Sequence, residues 1–362
     1  VCEELKGQKL FASISKKMSE GPVRQHAIVN LQGVLYPVAE AEDAFTEFLN
    51  SREINFQLRQ SILIQELEPP HSFQLWILSL RRSWEAWLST APNNFSTEGG
   101  LLAAMILGER EFLTPEQEET FLSAGAMHLF AVSGLHVMIV GLTLDQILKR
   151  LRLSFFRRRL IAIAFVGLYV AVIGFSPSAL RAFSIMALYY LASILPRPIK
   201  PMPVILASAL LTLVIDPAQL HSIGFQLSYS VVISIISFGL PLIDLVHNRW
   251  PSFHLSIEAD LSRPQRQQRW LKRKFVESIC ISISATLGSA PLIILHFELW
   301  TPGAIVLNAF LVPIATVVVG CGVVIILFHS LGIGFMALLA SYPAWLLIRV
   351  MEHLSFAAIQ LP

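Results

Sequence analysis

FLSAGAMHLFAVSGLHVMIVGLTLDQIL, residues 121–148, is where the chain changes solvent. It opens a series of long apolar runs broken by proline or by basic clusters. Upstream, residues 1–120 hold ten basic and 17 acidic side chains, a balance of −7. From residue 121 onward there are 17 basic and eight acidic side chains, a balance of +9. The overall charge of +2 hides this split. Of the 362 residues 54% are hydrophobic and 14% charged, with a mean hydropathy of +0.61. A soluble domain carries about 25% charged residues, so the chain is too apolar to be soluble throughout. Disordered, collagen-like and disulfide-scaffold classes are excluded by the same figures. Cys2, Cys280 and Cys321 form no CxxC pair and read as small apolar residues.

Eight candidate spans follow: 121–148, 160–175, 178–195, 202–215, 224–243, 276–296, 303–329 and 331–354. A spanning helix needs about 20 residues, so 160–175 and 202–215 are short and read as tilted or half-penetrating. Lys149 to Arg159 carries six Lys or Arg, Arg249 to Lys274 carries seven, and Arg197 with Lys200 marks a third basic loop. In a strict alternation all three fall on one side, while Pro177, Asp216 to Ser222 and Glu298 fall on the other. Basic loops stay cytoplasmic, which places residues 1–120 outside the cytoplasm. The expected fold is therefore a mainly α-helical polytopic membrane protein, with about eight transmembrane or half-spanning helices behind a small N-terminal β-rich domain.

That domain is read at residues 1–70. Short β-type stretches occur at Lys9–Ile14, Ala27–Leu31 and Ile62–Gln65, Gly21, Pro22 and Gly33 read as turn residues, and Pro69-Pro70 closes the region. Residues 71–120 read as amphipathic or interfacial helices linking to the membrane. Leu75, Trp76, Trp84 and Trp87 with Arg81 and Arg82 suit a membrane-surface helix. The membrane domain is read at 121–362. The chain opens on Val1 with no signal-type segment, which reads as a start lying further upstream.

Polar residues inside the apolar runs mark the candidate site. At ~100° per residue, His128, Ser133 and His136 share a sector of about 140° on one helix. In lipid they would be costly, so the sector should face protein or water. A helix-locking polar network and a polar path both remain open. Metal ligation is not supported, since no carboxylate follows at ligand spacing. Arg181 is the one charge in its run, a turn into a helix that Pro177 starts. It either snorkels to the surface or presents a fixed guanidinium to an anion, with the helix start near Ser178 supplying N–H groups. Gln226 and Ser228 add a third patch. Asn308 and Pro313, with Pro291 in the preceding run, read as broken helices.

The run Leu107 to Arg110, the run His128 to His136, and in order Gly174 to Ala182, Gly224 to Ser228, Ala290-Pro291 and Asn308 to Pro313 together resemble the signature of ComEC-type competence proteins. The resemblance covers roughly residues 95–330. Residues 1–70 are similar to the OB-like domain such proteins carry outside the membrane. The resemblance implies an inner-membrane channel importing single-stranded DNA during natural transformation. Arg181 with Ser178 would act as phosphate contact, and His128, Ser133, His136, Gln226, Ser228 and Asn308 would line the path or lock helices. The implied partners are single-stranded DNA, the lipid bilayer, an extracytoplasmic DNA receptor, a cytoplasmic ATPase with strand-binding proteins, and a second copy of the chain.

The departures from the family are Glu109 where Asp is common, and no HxHxDH motif of the nuclease-type metallo-β-lactamase domain. No catalysis, metal or cofactor is therefore expected of this chain. Lys16 and Lys17 are the candidate DNA contacts of the outer domain, in an otherwise acidic region. Two other classes compete. An intramembrane serine hydrolase would use Ser133 with His136 or His128, and a small-solute transporter would require inverted repeats that are not evident.

Overall fold

A computed structural model describes residues 9–14, 28–38, 54–68, 72–89, 95–130, 133–195, 198–249, 263–297 and 303–359. The chain divides into two compact units, residues 1–79 and 80–362. Lys16 and Lys17 lie outside the described residues.

In the first unit β1 (Lys9–Ile14), β2 (Ile28–Pro37) and β3 (Ile54–Glu68) form a sheet in the order β1-β3-β2. β1 runs parallel and β2 antiparallel to β3. Ile54, Phe56 and Leu58 fall on alternate positions of β3, which gives this part of one face an apolar set. Gly33, expected in a turn, lies inside β2 at a register shift between Gln32 and Val34. A glycine in a strand accommodates such a bulge.

The second unit is helical. The boundary between the units falls inside α1 (Ser72–Ser89). From Leu80 on, this helix buries Trp84 and Leu88. Trp84 Nε1 donates to Ser330 Oγ at 3.3 Å, and the Trp87 ring stacks on His329 at 4.8 Å. Arg81 pairs with Glu109. Part of the helix read as membrane-surface therefore docks on the C-terminal end of the helix that closes at Ser330.

Next come α2 (Ser96–Leu107) and α3 (Pro115–Ser123). Thr114 and Gln117 close a capping box at the start of α3. Three helices then pack as a unit: α4 (Gly134–Arg150), α5 (Phe155–Val172) and α6 (Pro177–Ala192). Gly141 allows their close approach, since a Cβ there would collide with Met186 and lie 3.6 Å from Val166. Two left-handed residues, Gly174 (φ 84°) and Phe175 (φ 53°), turn α5 into α6. α7 (Pro201–Ile215) and α8 (Ile223–Ser234) follow. α8 continues through a π-helical turn (Ile235–Gly239) into α9 (Leu240–Arg249). α10 (Arg263–Phe297), α11 (Gly303–Ser330) and α12 (Gly334–Ile359) complete the unit.

Among the described residues, four stretches are long and apolar enough to cross a membrane: Ile223–Arg249, Pro264–Phe297, Ile305–Ser330 and Gly334–Ile359. They contain the runs 224–243 and 276–296 and overlap most of 303–329 and 331–354. The other runs lie in shorter or less apolar helices, and 121–148 is not one helix at all. The expected breaks at Pro291 and Pro313 are also absent: both prolines sit inside continuous helices. Neighbouring helices can satisfy a backbone freed by proline in an apolar setting. The irregularity lies instead at the π turn, where Gly239 would place a Cβ 3.2 Å from Ser284 Oγ.

Candidate functional site: a buried arginine without a carboxylate

Arg181 lies one turn into α6. Pro177 occupies the first turn, and Ser176 Oγ accepts the Ala179 N–H at 3.4 Å, so the helix start is fixed by sequence-local chemistry. The side chain does not snorkel outward: the residue is only 5% exposed. Its Nη2 donates to the Gly224 carbonyl at 2.9 Å and to Ser228 Oγ at 3.0 Å, which bridges α6 to the first turns of α8. Its Nε has no acceptor. Among the described residues no carboxylate lies within ion-pair distance of Arg181. Burying a cation costs several kcal/mol unless charge and hydrogen bonds compensate it. Two neutral oxygens leave this one with capacity for an anion.

A Cβ at position 224 would stand 3.5 Å from Arg181 Nη2, an ordinary contact, so it is the Gly224 carbonyl that defines this approach. Beneath the guanidinium runs a chain of hydroxyls that the sequence reading missed. Ser184 and Ser208 share a hydrogen bond, Ser208 meets the Tyr229 hydroxyl at 2.9 Å, and Thr212 meets it at 3.3 Å. Phe225 packs on the Tyr229 ring at 4.6 Å. A signal was present: Ser208 and Thr212 are the hydroxyl residues of the apolar run 202–215, and they are four apart.

The His128, Ser133 and His136 set is rearranged relative to expectation. Gly125 takes φ 68°, a short 3-10 turn covers Met127–Leu129, and α4 begins only at Gly134. The three residues therefore do not share a helix face. His128 is exposed, with Nδ1 3.1 Å from the Gly125 carbonyl. Ser133 and His136 do meet, with Oγ 2.8 Å from Nδ1, and the Ser133 N–H also points to Nδ1 at 3.3 Å. A nitrogen that accepts a backbone N–H is the unprotonated one of a neutral ring, so the pair acts as the cap of α4. His136 is 1% exposed. At the neighbouring position, a Cβ on Gly134 would lie 3.3 Å from Ala182 Cβ, which sets the α4 start beside the Arg181 turn.

The remaining expected residues are dispersed. Gln226 Nε2 donates to the Leu220 carbonyl at 3.0 Å, tying α8 to the turn before it rather than to Arg181. Ser178 is half-buried in the first turn of α6. Asn308 lies on α11, where Ser278 and Ser282 of α10 donate to the neighbouring Ala309 and Ile305 carbonyls at 2.9 Å each. Its Oδ1 is buried without a donor. Among the described residues no group of three or more His, Cys, Asp or Glu could hold a metal.

Fold and site define a multi-pass helical membrane protein with a buried, uncompensated guanidinium. The chain belongs to the competence protein family, whose profile matches residues 105–362. It is 27% identical over 272 residues to ComE operon protein 3 of Bacillus subtilis, covering 75% of this chain and 31% of that protein. It is 29% identical over 151 residues to Recombination protein 2 of Haemophilus influenzae, covering 38% and 19% of the two chains. An uncharacterized protein of Aquifex aeolicus is 27% identical over 213 residues, 58% of this chain and 43% of its own. The chain thus spans less than half the length of each of these relatives. No solved structure matches it.

Proposed function

We infer that the chain forms the membrane part of a DNA-uptake machine and conducts a single strand of DNA across the bacterial inner membrane during natural transformation. The observation that carries this reading is Arg181: a buried guanidinium held by a carbonyl and a hydroxyl, without a carboxylate among the described residues. A strand bears about one negative charge per nucleotide, and a path for it needs cations that bind weakly and repeatedly. Planar guanidinium groups match phosphate oxygens in a bidentate fork. Family membership and the name of the Bacillus subtilis relative support the same role.

In this reading the basic loops 149–159 and 249–274 are cytoplasmic, and residues 1–120 lie outside. Residues 1–70 form an OB-like domain in which Lys16 and Lys17 contact the strand. Ser178 and Ser228 join Arg181 at the phosphate, while His128, Ser133, His136, Gln226 and Asn308 shape or brace the path. The chain carries out no catalysis. A receptor outside the membrane delivers the DNA, and a cytoplasmic ATPase with strand-binding proteins draws it inward. The Ser133–His136 contact is one a serine hydrolase would need, but among the described residues no third side chain orients His136 through Nε2, and the same Nδ1 also takes the Ser133 N–H at the start of α4.

The test is transformation frequency in a host whose own competence channel is deleted, complemented by the full-length protein. Wild type is expected to restore transformation and Arg181→Ala to leave it at the level of the deleted host, with equal amounts of protein in the membrane. Transformation by the Arg181→Ala protein at the wild-type level refutes the role. For the outer domain, Lys16→Glu with Lys17→Glu is expected to weaken single-strand binding and to flatten its salt dependence by a slope of about 2. Unchanged affinity removes that contact from the account.

A further inference from the structure

The far end of the α4–α6 unit holds a second arginine cluster that the strand path does not use. Asp145 on α4 faces Arg158 and Arg159 on α5. The closest approaches are 3.9 Å from Arg158 Nη1 to Asp145 Oδ2 and 3.6 Å from Arg159 Nη1 to Asp145 Oδ1. Both are too long for hydrogen bonds. Arg158 is 9% exposed, and its Nε and Nη1 have no acceptor among the described residues. Arg159 Nε has none either. One carboxylate is thus shared loosely between two guanidinium groups. Arg159 also lies over the Tyr190 ring of α6 at 4.2 Å and over Phe155 at 4.9 Å. Arg157 beside them is exposed, and Lys149, Arg150 and Arg152 lie in the preceding turn and connection.

Apolar surface begins at once beyond these charges. Phe155, Phe156, Leu160 and Ile161 of α5 are 45, 53, 42 and 40% exposed. Phe156 and Leu160 are one helical turn apart, so an apolar strip runs along α5 from the arginines. A charged head and an apolar strip on one helix match the shape of an amphiphile rather than that of a nucleic acid strand. We propose that Arg157, Arg158 and Arg159 form a binding site for an anionic phospholipid. The phosphate supplies the oxygen acceptors that Asp145 only partly provides, and the acyl chains lie along Phe156, Leu160 and Ile161. Guanidinium forks take phosphodiester oxygens in pairs, and basic pockets between membrane helices hold anionic headgroups. This site is separate from Arg181 and does not depend on the strand-import reading.

The experiment uses the full chain in neutral detergent. Bound palmitoyl-oleoyl phosphatidylglycerol and phosphatidylcholine are counted by native mass spectrometry. Wild type is expected to prefer the phosphatidylglycerol, and Arg158→Gln with Arg159→Gln to lose about tenfold in that preference. Arg159→Lys, which keeps the charge and folds without a vacated ion pair, loses a smaller part. Lys149→Gln with Arg150→Gln removes the same charge from exposed positions and leaves the preference nearly intact. Three outcomes overturn the site: no preference in wild type, equal loss in the Lys149 and Arg150 pair, or full retention in Arg159→Lys and the double Gln variant. A fourth is displacement of the phosphatidylglycerol by a single-stranded oligonucleotide, which would give the cluster to the strand instead.

Discussion

Arg181 and Arg158 are both buried to within a tenth of full coverage, on helices that pack in one unit, yet they are compensated differently. Arg158 stands within 4 Å of a carboxylate and shares it with Arg159. Among the described residues Arg181 meets the Gly224 carbonyl and the Ser228 hydroxyl and no carboxylate. A guanidinium with its own carboxylate is partly neutralised before any ligand arrives. One satisfied by neutral oxygens keeps its full charge for a phosphate that passes. The difference lies in what α4 and α8 bring up to each arginine, and it can be altered by single substitutions.

The largest effect is expected from abolishing the contrast at Arg181. Ser228→Asp would give Arg181 the carboxylate that Arg158 already has. Transformation should fall to the level of the deleted host, while thermal stability stays equal or rises. Loss of transformation with loss of folded protein would instead mark position 228 as structural. The converse change, Asp145→Asn, removes the carboxylate that Arg158 and Arg159 share. Breaking a buried pair by removing one partner costs about 3 kcal/mol. Thermal unfolding should therefore move down, with transformation retained in the fraction that folds.

Smaller effects sharpen the comparison. Arg181→Lys keeps the charge and loses the fork, and is expected to lower transformation by about tenfold. Ser228→Ala leaves Gly224 as the only oxygen on Nη2 and should cost about 1 kcal/mol of stability, read as a shift in the unfolding midpoint. Ser133→Ala removes the hydroxyl bond to His136 Nδ1 at the start of α4 while keeping the N–H bond, a loss of about 1 kcal/mol, and Ser133→Thr should restore most of it. If Ser133→Ala abolished transformation without any change in stability, the cap reading of the Ser133 and His136 pair would fail.

Helical class, the β1 strand at Lys9–Ile14 and the start of α6 at Pro177 were legible in the sequence because each rests on local signals: apolar run length, alternation, and a proline behind a serine. Arg181 was legible as a lone charge in an apolar run. Its partners were partly legible, since Ser228 had been noted but Ser184, Ser208 and Tyr229 join only when α6, α7 and α8 come together. The break inside 121–148 was not legible from apolarity. A left-handed Gly125 and a cap at Ser133 look like ordinary small residues inside a greasy run. The prolines misled in the opposite direction, because a long helix in an apolar setting absorbs Pro291 and Pro313. The Asp145 cluster escaped notice because Arg158 and Arg159 were counted as loop charge, whereas α5 starts at Phe155 and carries them into the packed unit.

The central claim is that the incoming strand passes Arg181. It is tested most directly by placing a photo-reactive amino acid at Ser178, one helical turn before Arg181 on the same face of α6, in transforming cells fed labelled DNA. The account predicts a light-dependent adduct with a single strand, lost when Arg181→Ala is added. Normal uptake with no adduct from position 178, while the same probe at another position on the membrane helices does cross-link, would place the strand elsewhere and contradict it.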